Sequence, residues 1–461
     1  MVSSGRPTRP RLRSAGFTFR RRTVFHGGVP WVFLAVSIVG ALLVVNVYAP
    51  ARREPLTVVS FVLGWVLGEV PIQTCVVWVA LAVLFAAVGA LRTWPGWVGL
   101  AIAVGSWVGL AGLAVAAHRS KALVDEALDT ATGGAIGADG LDPTPAWTHW
   151  WRLVIAVPFR FRSIRRLRSI DYWGEGNYRH KLDILTRRDP VPDGAPVMVY
   201  IHGGAWIIGD KREQGVPMMH ELVSRGWVCV SINYRLSPRA SWPAHIVDCK
   251  RSVAWVRQHI GEYGGDPSFI AVSGGSAGGH LSSLLALTPN EPEWQPGFED
   301  ADTSVDACVP FYGVYDVTGD PDASGAHGPG LVDLLQRSVM KTTVSDNRDL
   351  FELASPDRRI TAAVPPMFVL AGVNDTLVPL RVARRFVERL RSISEAPVAY
   401  VELPRAQHAF EILVTIRSRH TTMGVVRFLE GMRCRTPGQG LNPGAAPAAG
   451  PLPPELAGPD R

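Results

Sequence analysis

Cysteine is scarce in these 461 residues, and the five present, Cys75, Cys229, Cys249, Cys308 and Cys434, form no CxxC pair and no metal-ligand spacing. Neither a zinc site nor a disulfide framework is expected. Nucleic-acid recognition motifs are missing as well, so the formal net charge of +7 does not point to a nucleic-acid partner. No internal repeat is evident. Charge itself is absent from three long stretches, Trp31 to Ala49, Val70 to Leu91 and Gly96 to Ala117. Each is close to the roughly 20 residues a helix needs to cross a hydrocarbon core about 30 Å thick. Three membrane spans are therefore expected. A cleaved signal peptide is not, because the first stretch is full length and is followed by more of the same.

What surrounds these stretches is basic. Arg6, Arg9, Arg11, Arg13, Arg20, Arg21 and Arg22 precede the first, which puts the N-terminus in the cytoplasm and, with three spans, the C-terminal part outside. The apolar piece from Leu56 to Gly68 is too short to cross comfortably and ends at Glu69 and Pro71. It is open to three readings: an interfacial segment, a re-entrant one, or a fourth span that would reverse the topology. Glu69 reads as a solvated loop end or as a functional intramembrane acid. Trp147, Trp150, Trp151, Phe159 and Phe161 alternate with Arg152, Arg160, Arg162, Arg165, Arg166 and Arg168. That interleaving fits a segment lying on lipid headgroups, or a linker helix packed on the following domain.

Beyond Ile170 the rhythm changes. Short β-branched runs at Pro196 to Ile201, Trp227 to Ile232, Phe269 to Ser273, Ala307 to Tyr312, Met367 to Ala371 and Val398 to Leu403 read as strands. Helical stretches at Pro243 to Tyr263, Gly279 to Leu287, Leu380 to Ile393 and Ile412 to Met432 alternate with them. The alternation predicts an α/β fold with a mostly parallel sheet and helices on both faces, preceded by an all-α transmembrane region. The expected division is a basic cytoplasmic N-terminus (1–28), a transmembrane region of about three helices (29–120), a linker (121–169), a catalytic domain (170–433) and a disordered Pro/Gly/Ala-rich tail (434–461).

The chemistry gathers at the predicted C-terminal edge of that sheet. Gly274-Gly275-Ser276-Ala277-Gly278-Gly279 stands directly after one strand and before one helix, the context of a GxSxG nucleophile elbow. His202-Gly203-Gly204-Ala205-Trp206 follows an earlier strand, where glycines let backbone N–H groups turn toward a substrate oxygen. Asp375 follows the strand Met367 to Ala371, and His408 lies just past the next strand, in the order Ser, Asp, His. Ser276 is thus the expected nucleophile, His408 the base and Asp375 the orienting acid, with Asp316 the rival acid. Trp206 and Tyr234 read as buried packing or as pocket lining, Asp248 as structural, and Val317 to Leu353 as a cap insertion.

From about Asp171 to Met432 the chain resembles the hormone-sensitive-lipase and carboxylesterase branch of the α/β-hydrolases, through HGGAW, YRLSP, GGDP, GGSAGG, GVNDTLVP and QHAF. The resemblance implies oxyanion donors at the backbone N–H groups of Gly204, Ala205 and Ala277, hydrolysis of carboxylic esters through an acyl-enzyme, and no cofactor or metal. It also implies a small-molecule or lipid ester as substrate; the apolar stretches add membrane lipids as partners. Ala205 stands where that branch usually has a third glycine, which leaves formamide hydrolysis open. The same scaffold also admits acyl transfer, peptide hydrolysis or a catalytically silent, membrane-tethered binding protein.

Overall fold

The computed structural model describes residues 28–53, 56–136, 163–189, 194–320 and 329–434. The N-terminal arginines, most of the Trp/Arg segment and the Pro/Gly/Ala-rich tail lie outside these residues.

The uncharged stretches are helices: α1 (Val29–Tyr48), α2 (Leu56–Glu69), α3 (Pro71–Ala87) and α4 (Trp94–Thr132). Helix α1 begins beside the end of α3, with Phe33 and Phe85 rings 5.2 Å apart, so the two are antiparallel. It begins beside the start of α4, with Trp31 and Trp94 rings 5.3 Å apart, and ends with Tyr48 Oη donating to Gly109 O at 2.7 Å. Helices α1 and α4 are thus parallel. Close approach is set by small residues: a Cβ on Gly99 would stand 3.0 Å from Leu34 Cα. Helix α2 meets α3 at 89° and so runs across this bundle at the Tyr48 end. The short apolar piece is therefore a transverse helix.

Helix α4 is 39 residues long, about 58 Å at 1.5 Å per residue. Its first half packs in the bundle. Its second half is amphipathic and packs on the following domain, where Val124 and Leu128 join the core beside Phe368 and Phe428. The expected linker from residue 121 therefore starts inside a helix.

That domain is built on one eight-stranded sheet in the order β1-β2-β4-β3-β5-β6-β7-β8. The strands are β1 (Ile164–Asp171), β2 (Lys181–Arg187), β3 (Ala195–Ile201), β4 (Val228–Ile232), β5 (Gly265–Gly275), β6 (Ala307–Phe311), β7 (Met367–Gly372) and β8 (Val398–Leu403). From β4 to β8 all neighbours are parallel, and β1 and β2 are antiparallel. The parallel strands are buried on both faces, which is why they read as unbroken apolar runs. Arg165, Arg166 and Arg168 belong to β1, not to a headgroup-facing segment, and Arg166 Nε pairs with buried Asp183 at 2.8 Å.

The remaining helices of the domain are α5 (Val216–Ser224), α6 (Ala244–His259), α7 (Ala277–Leu287), α8 (Pro329–Leu334), α9 (Arg348–Leu353), α10 (Leu380–Ile393) and α11 (Ile416–Arg433). One core cluster lies on each face of the sheet. In the stretch expected to form a cap, Leu335, Val339 and Phe351 are buried in the first of these clusters, and Trp242 N donates to Val339 O at 2.9 Å.

Candidate active site

Ser276 sits between β5 and α7 with φ 58 and ψ −120, a left-handed conformation that an L residue holds only when its surroundings impose it. The imposing contacts are backbone. A Cβ on Gly274 would stand 2.5 Å from both Gly278 O and Ile201 O, so only glycine admits so tight a bend. Ser276 N donates to Phe311 O of β6 at 3.0 Å, and His280 N donates to Ser276 O at 2.9 Å as α7 begins. The hydroxyl is thereby carried at the mouth of the sheet and at a helix N-terminus, where a developing negative charge is favoured.

The turn after β3 comes up against this elbow. A Cβ on Gly203 would stand 3.2 Å from Ser276 Cβ. Gly203 N is held by Gln214 Oε1 at 2.7 Å. Gly204 has φ 118, a conformation that side chains exclude, and Ala205 and Trp206 follow at φ 51 and φ 60. The N–H groups of Gly204, Ala205 and Ala277 take no part in the hydrogen bonding of the described residues, while Gly204 O accepts from Ile207 N and Ile208 N, each at 3.0 Å.

His408 Nδ1 lies 2.7 Å from Asp375 Oδ2, both side chains being buried. Asp375 Oδ1 accepts from Leu377 N and Val378 N at 2.8 and 2.9 Å, which fixes the carboxylate. Tyr312, at the end of β6, joins this pair to the elbow. Its ring centroid is 4.3 Å from that of His408, and a Cβ on Gly275 would stand 3.0 Å from its Cε2. The rival acid, Asp316, instead accepts from Thr318 Oγ1 at 2.7 Å and Thr318 N at 3.2 Å.

Other histidines near the elbow are held neutral. His202 and His280 are each pulled down to about 4 by burial. His280 donates Nε2–H to Ala354 O at 2.8 Å and accepts from Trp206 Nε1 at 3.3 Å, which sets its tautomer. Trp206 and Tyr234 lie in the core, with Tyr234 Oη bonded to His202 O, so both pack rather than line a pocket. Asp248 is tied to Arg235 through both oxygens.

Three features were not anticipated. Tyr312 Oη donates to Glu411 Oε2, and burial pushes the Glu411 carboxyl up to about 7. The corner between α1 and α2 is bonded to the Asp375 loop: Asn374 Nδ2 donates to Val47 O at 2.5 Å, Thr376 Oγ1 to Thr57 O at 3.0 Å and Arg52 Nη2 to Val373 O at 3.0 Å. The same corner holds the His408 loop, through Trp65 Nε1 to Ala409 O at 2.8 Å and Arg405 Nη1 to Tyr48 O at 3.0 Å, with the Phe61 ring edge-on to His408 at 6.0 Å. Glu411 was visible three residues after His408. The corner was not, because its partners are more than 300 positions away.

Known proteins resemble this chain in sequence and in fold. Residues 182–390 match the BD-FAE family. The chain is 43% identical over 427 residues to the probable carboxylic ester hydrolase LipM of Mycobacterium tuberculosis, covering 90% of this chain and 96% of that protein. It is 39% identical over 316 residues to the esterase LipC of the same organism, covering 68% of this chain and 76% of LipC. The crystal structure of esterase B from Lactobacillus rhamnosis has the same fold, at a TM-score of 0.50 and 19% identity over 60% of this chain and 87% of that one. A chain with this sheet and this similarity along nearly its whole length belongs to the carboxylic ester hydrolases of the α/β-hydrolase fold, in the hormone-sensitive-lipase and carboxylesterase-like branch.

Proposed function

We propose that Ser276 is the nucleophile of a membrane-anchored esterase that works through an acyl-enzyme. Ser276 Oγ bonds to the ester carbonyl carbon as His408 takes the hydroxyl proton. The carbonyl oxygen becomes an oxyanion facing the N–H groups of Gly204, Ala205 and Ala277. The C–O bond to the alcohol then breaks, and His408 returns the proton to the departing oxygen. Water repeats the cycle on the acyl group and releases the acid. Asp375 keeps His408 in the tautomer whose Nε2 accepts. The observation that carries this reading is the buried 2.7 Å His408–Asp375 contact, joined through Tyr312 to the elbow that holds Ser276 at φ 58.

In this reading α1, α3 and α4 cross a bilayer, with the catalytic domain on the extracytoplasmic side at the Tyr48 end of the bundle. Support comes from the parallel α1 and α4, the antiparallel α3, and arginines ahead of α1. A fluorophosphonate probe on the intact chain tests the chemistry. Wild type should be labelled and Ser276→Ala should not, and matched ester, formamide and peptide substrates should show turnover of the ester. Protease protection in sealed vesicles tests the side: with the N-terminus inside, the domain should be cleaved from outside.

A further inference from the structure

Helix α2 has three faces, and the described residues cover two of them. Ser60, Gly64 and Leu67 meet α1, where Ser60 Oγ donates to Asn46 Oδ1 at 2.7 Å and Leu67 packs with Val44 and Val47. Thr57, Phe61 and Trp65, spaced four apart, face the loops of Asp375 and His408. The remaining arc, Val58, Val59, Val62, Leu63 and Val66, is wholly apolar and about half exposed at every position. Val58 lies one turn before Phe61, and Val62 one turn after Val58.

A second apolar rim stands at the oxyanion turn. Ile208 is 67% exposed, and its Cγ1 lies 3.1 Å from where a Cβ on Gly204 would be. Among the described residues of the hydrolase domain, the exposed large hydrophobics are Tyr178, Ile208 and Ile393, and Ile208 is the most exposed of them. One of the three therefore falls at the turn that faces Ser276.

We propose that α2 forms a wall of the active site and that the substrate is an amphiphilic ester drawn from the bilayer. Its hydrocarbon tail lies along Phe61, Val58 and Val62, with Ile208 on the opposite rim, and its carbonyl meets Ser276. The inference rests on the serine-esterase reading above. Two observations argue for a lipid tail: α1 and α3, on either side of α2 in the chain, expose apolar side chains of the same kind, among them Leu42, Val45, Ile72 and Val76, and the free arc offers no hydrogen-bonding side chain to a protein or a sugar. Burying each methylene along it favours longer chains. Phe61 also sets the His408 ring edge-on, so it is both a positioning and a chain-selecting residue.

The test uses the full chain in phosphatidylcholine vesicles, with p-nitrophenyl dodecanoate and p-nitrophenyl acetate as paired substrates and fluorophosphonate labelling as a control. Phe61→Ala should lower kcat/KM for the dodecanoate at least about tenfold more than for the acetate, and Phe61→Leu should restore most of the ratio. Val62→Asn, on the free arc, should shift the ratio in the same direction even if Phe61→Ala folds poorly. A parallel loss on both esters, or an unmoved ratio in Val62→Asn, overturns the inference. Failure of the wild-type protein to take up the probe would instead defeat the serine-esterase reading on which it stands.

Discussion

Two strained backbones and one buried carboxyl carry most of what is unusual here at the residue scale. Ser276 at φ 58 and Ala205 at φ 51 hold conformations that cost on the order of 1 kcal/mol or more each. Both lie where the chain must present a hydroxyl or an N–H to one point. Glu411 is the other case. Buried with Tyr312, Tyr200 and His408 around it, its carboxyl rises from the ordinary 4.5 to about 7, with burial the largest cause. Because the folded protein holds this proton more tightly than the unfolded chain, its contribution is fully present below about pH 4.5 and is lost as pH rises through about 7. Wild type should therefore lose up to about 3 kcal/mol between about pH 5 and about pH 8 that Glu411→Gln does not lose. Thermal unfolding midpoints of the two proteins across that range check it, and parallel curves would refute it.

At the scale of elements, α2 is where a short apolar segment acquires a purpose. Its length was legible, but its direction was not, since 14 residues suit an interfacial helix, a re-entrant one or a thin span equally well. Contacts with loops far along the chain decide the matter. Trp65 is the clearest of them, its indole N–H satisfying Ala409 O next to His408. Trp65→Phe keeps the ring and leaves that carbonyl unpaired, so a loss of about 1–2 kcal/mol is expected, together with a lower kcat as the His408 loop loosens. Chemical unfolding in detergent and steady-state kinetics on a short ester should move together. Strands β1 and β2 escaped the sequence for a different reason. The edge strand β1 carries three arginines, and the interior strand β2 is interrupted by Asp183 and bounded by Lys181 and Arg187, so neither has the continuous apolar signature of the central strands.

Seen as a whole, the molecule joins a helical bundle to a hydrolase by more than a tether. Helix α4 continues from one into the other, and Arg427 of α11 pairs with Asp125. A buried ion pair adds to this: Glu69, at the end of α2, lies 2.9 Å from Arg417 of α11, and Thr415 Oγ1 donates to the same carboxylate at 3.2 Å. Arg417 Nη1 is spent on Pro404 O. Glu69 is therefore not a solvated loop end. Removing one partner of a buried pair strands the other, at about 3–5 kcal/mol, whereas removing both costs far less. Arg417→Met should thus lower the thermal midpoint sharply, and adding Glu69→Gln should recover much of the loss. A double variant no better than the single one would mean that the pair does not join the two regions.

Local pattern settled what local pattern can. Uncharged runs of about 20 residues, parallel strands buried on both faces, and a serine between a strand and a helix each leave a signal within a dozen or two positions, because periodicity, burial and turn chemistry act at short range. The pairing of β1 with β2, the transverse course of α2, the ring of Tyr312 against His408 and the bonds from Val47, Thr57 and Trp65 to the loops of Asp375 and His408 leave none. They join residues that become neighbours only after the sheet has formed and the bundle has docked on it, so only the tertiary structure could decide them.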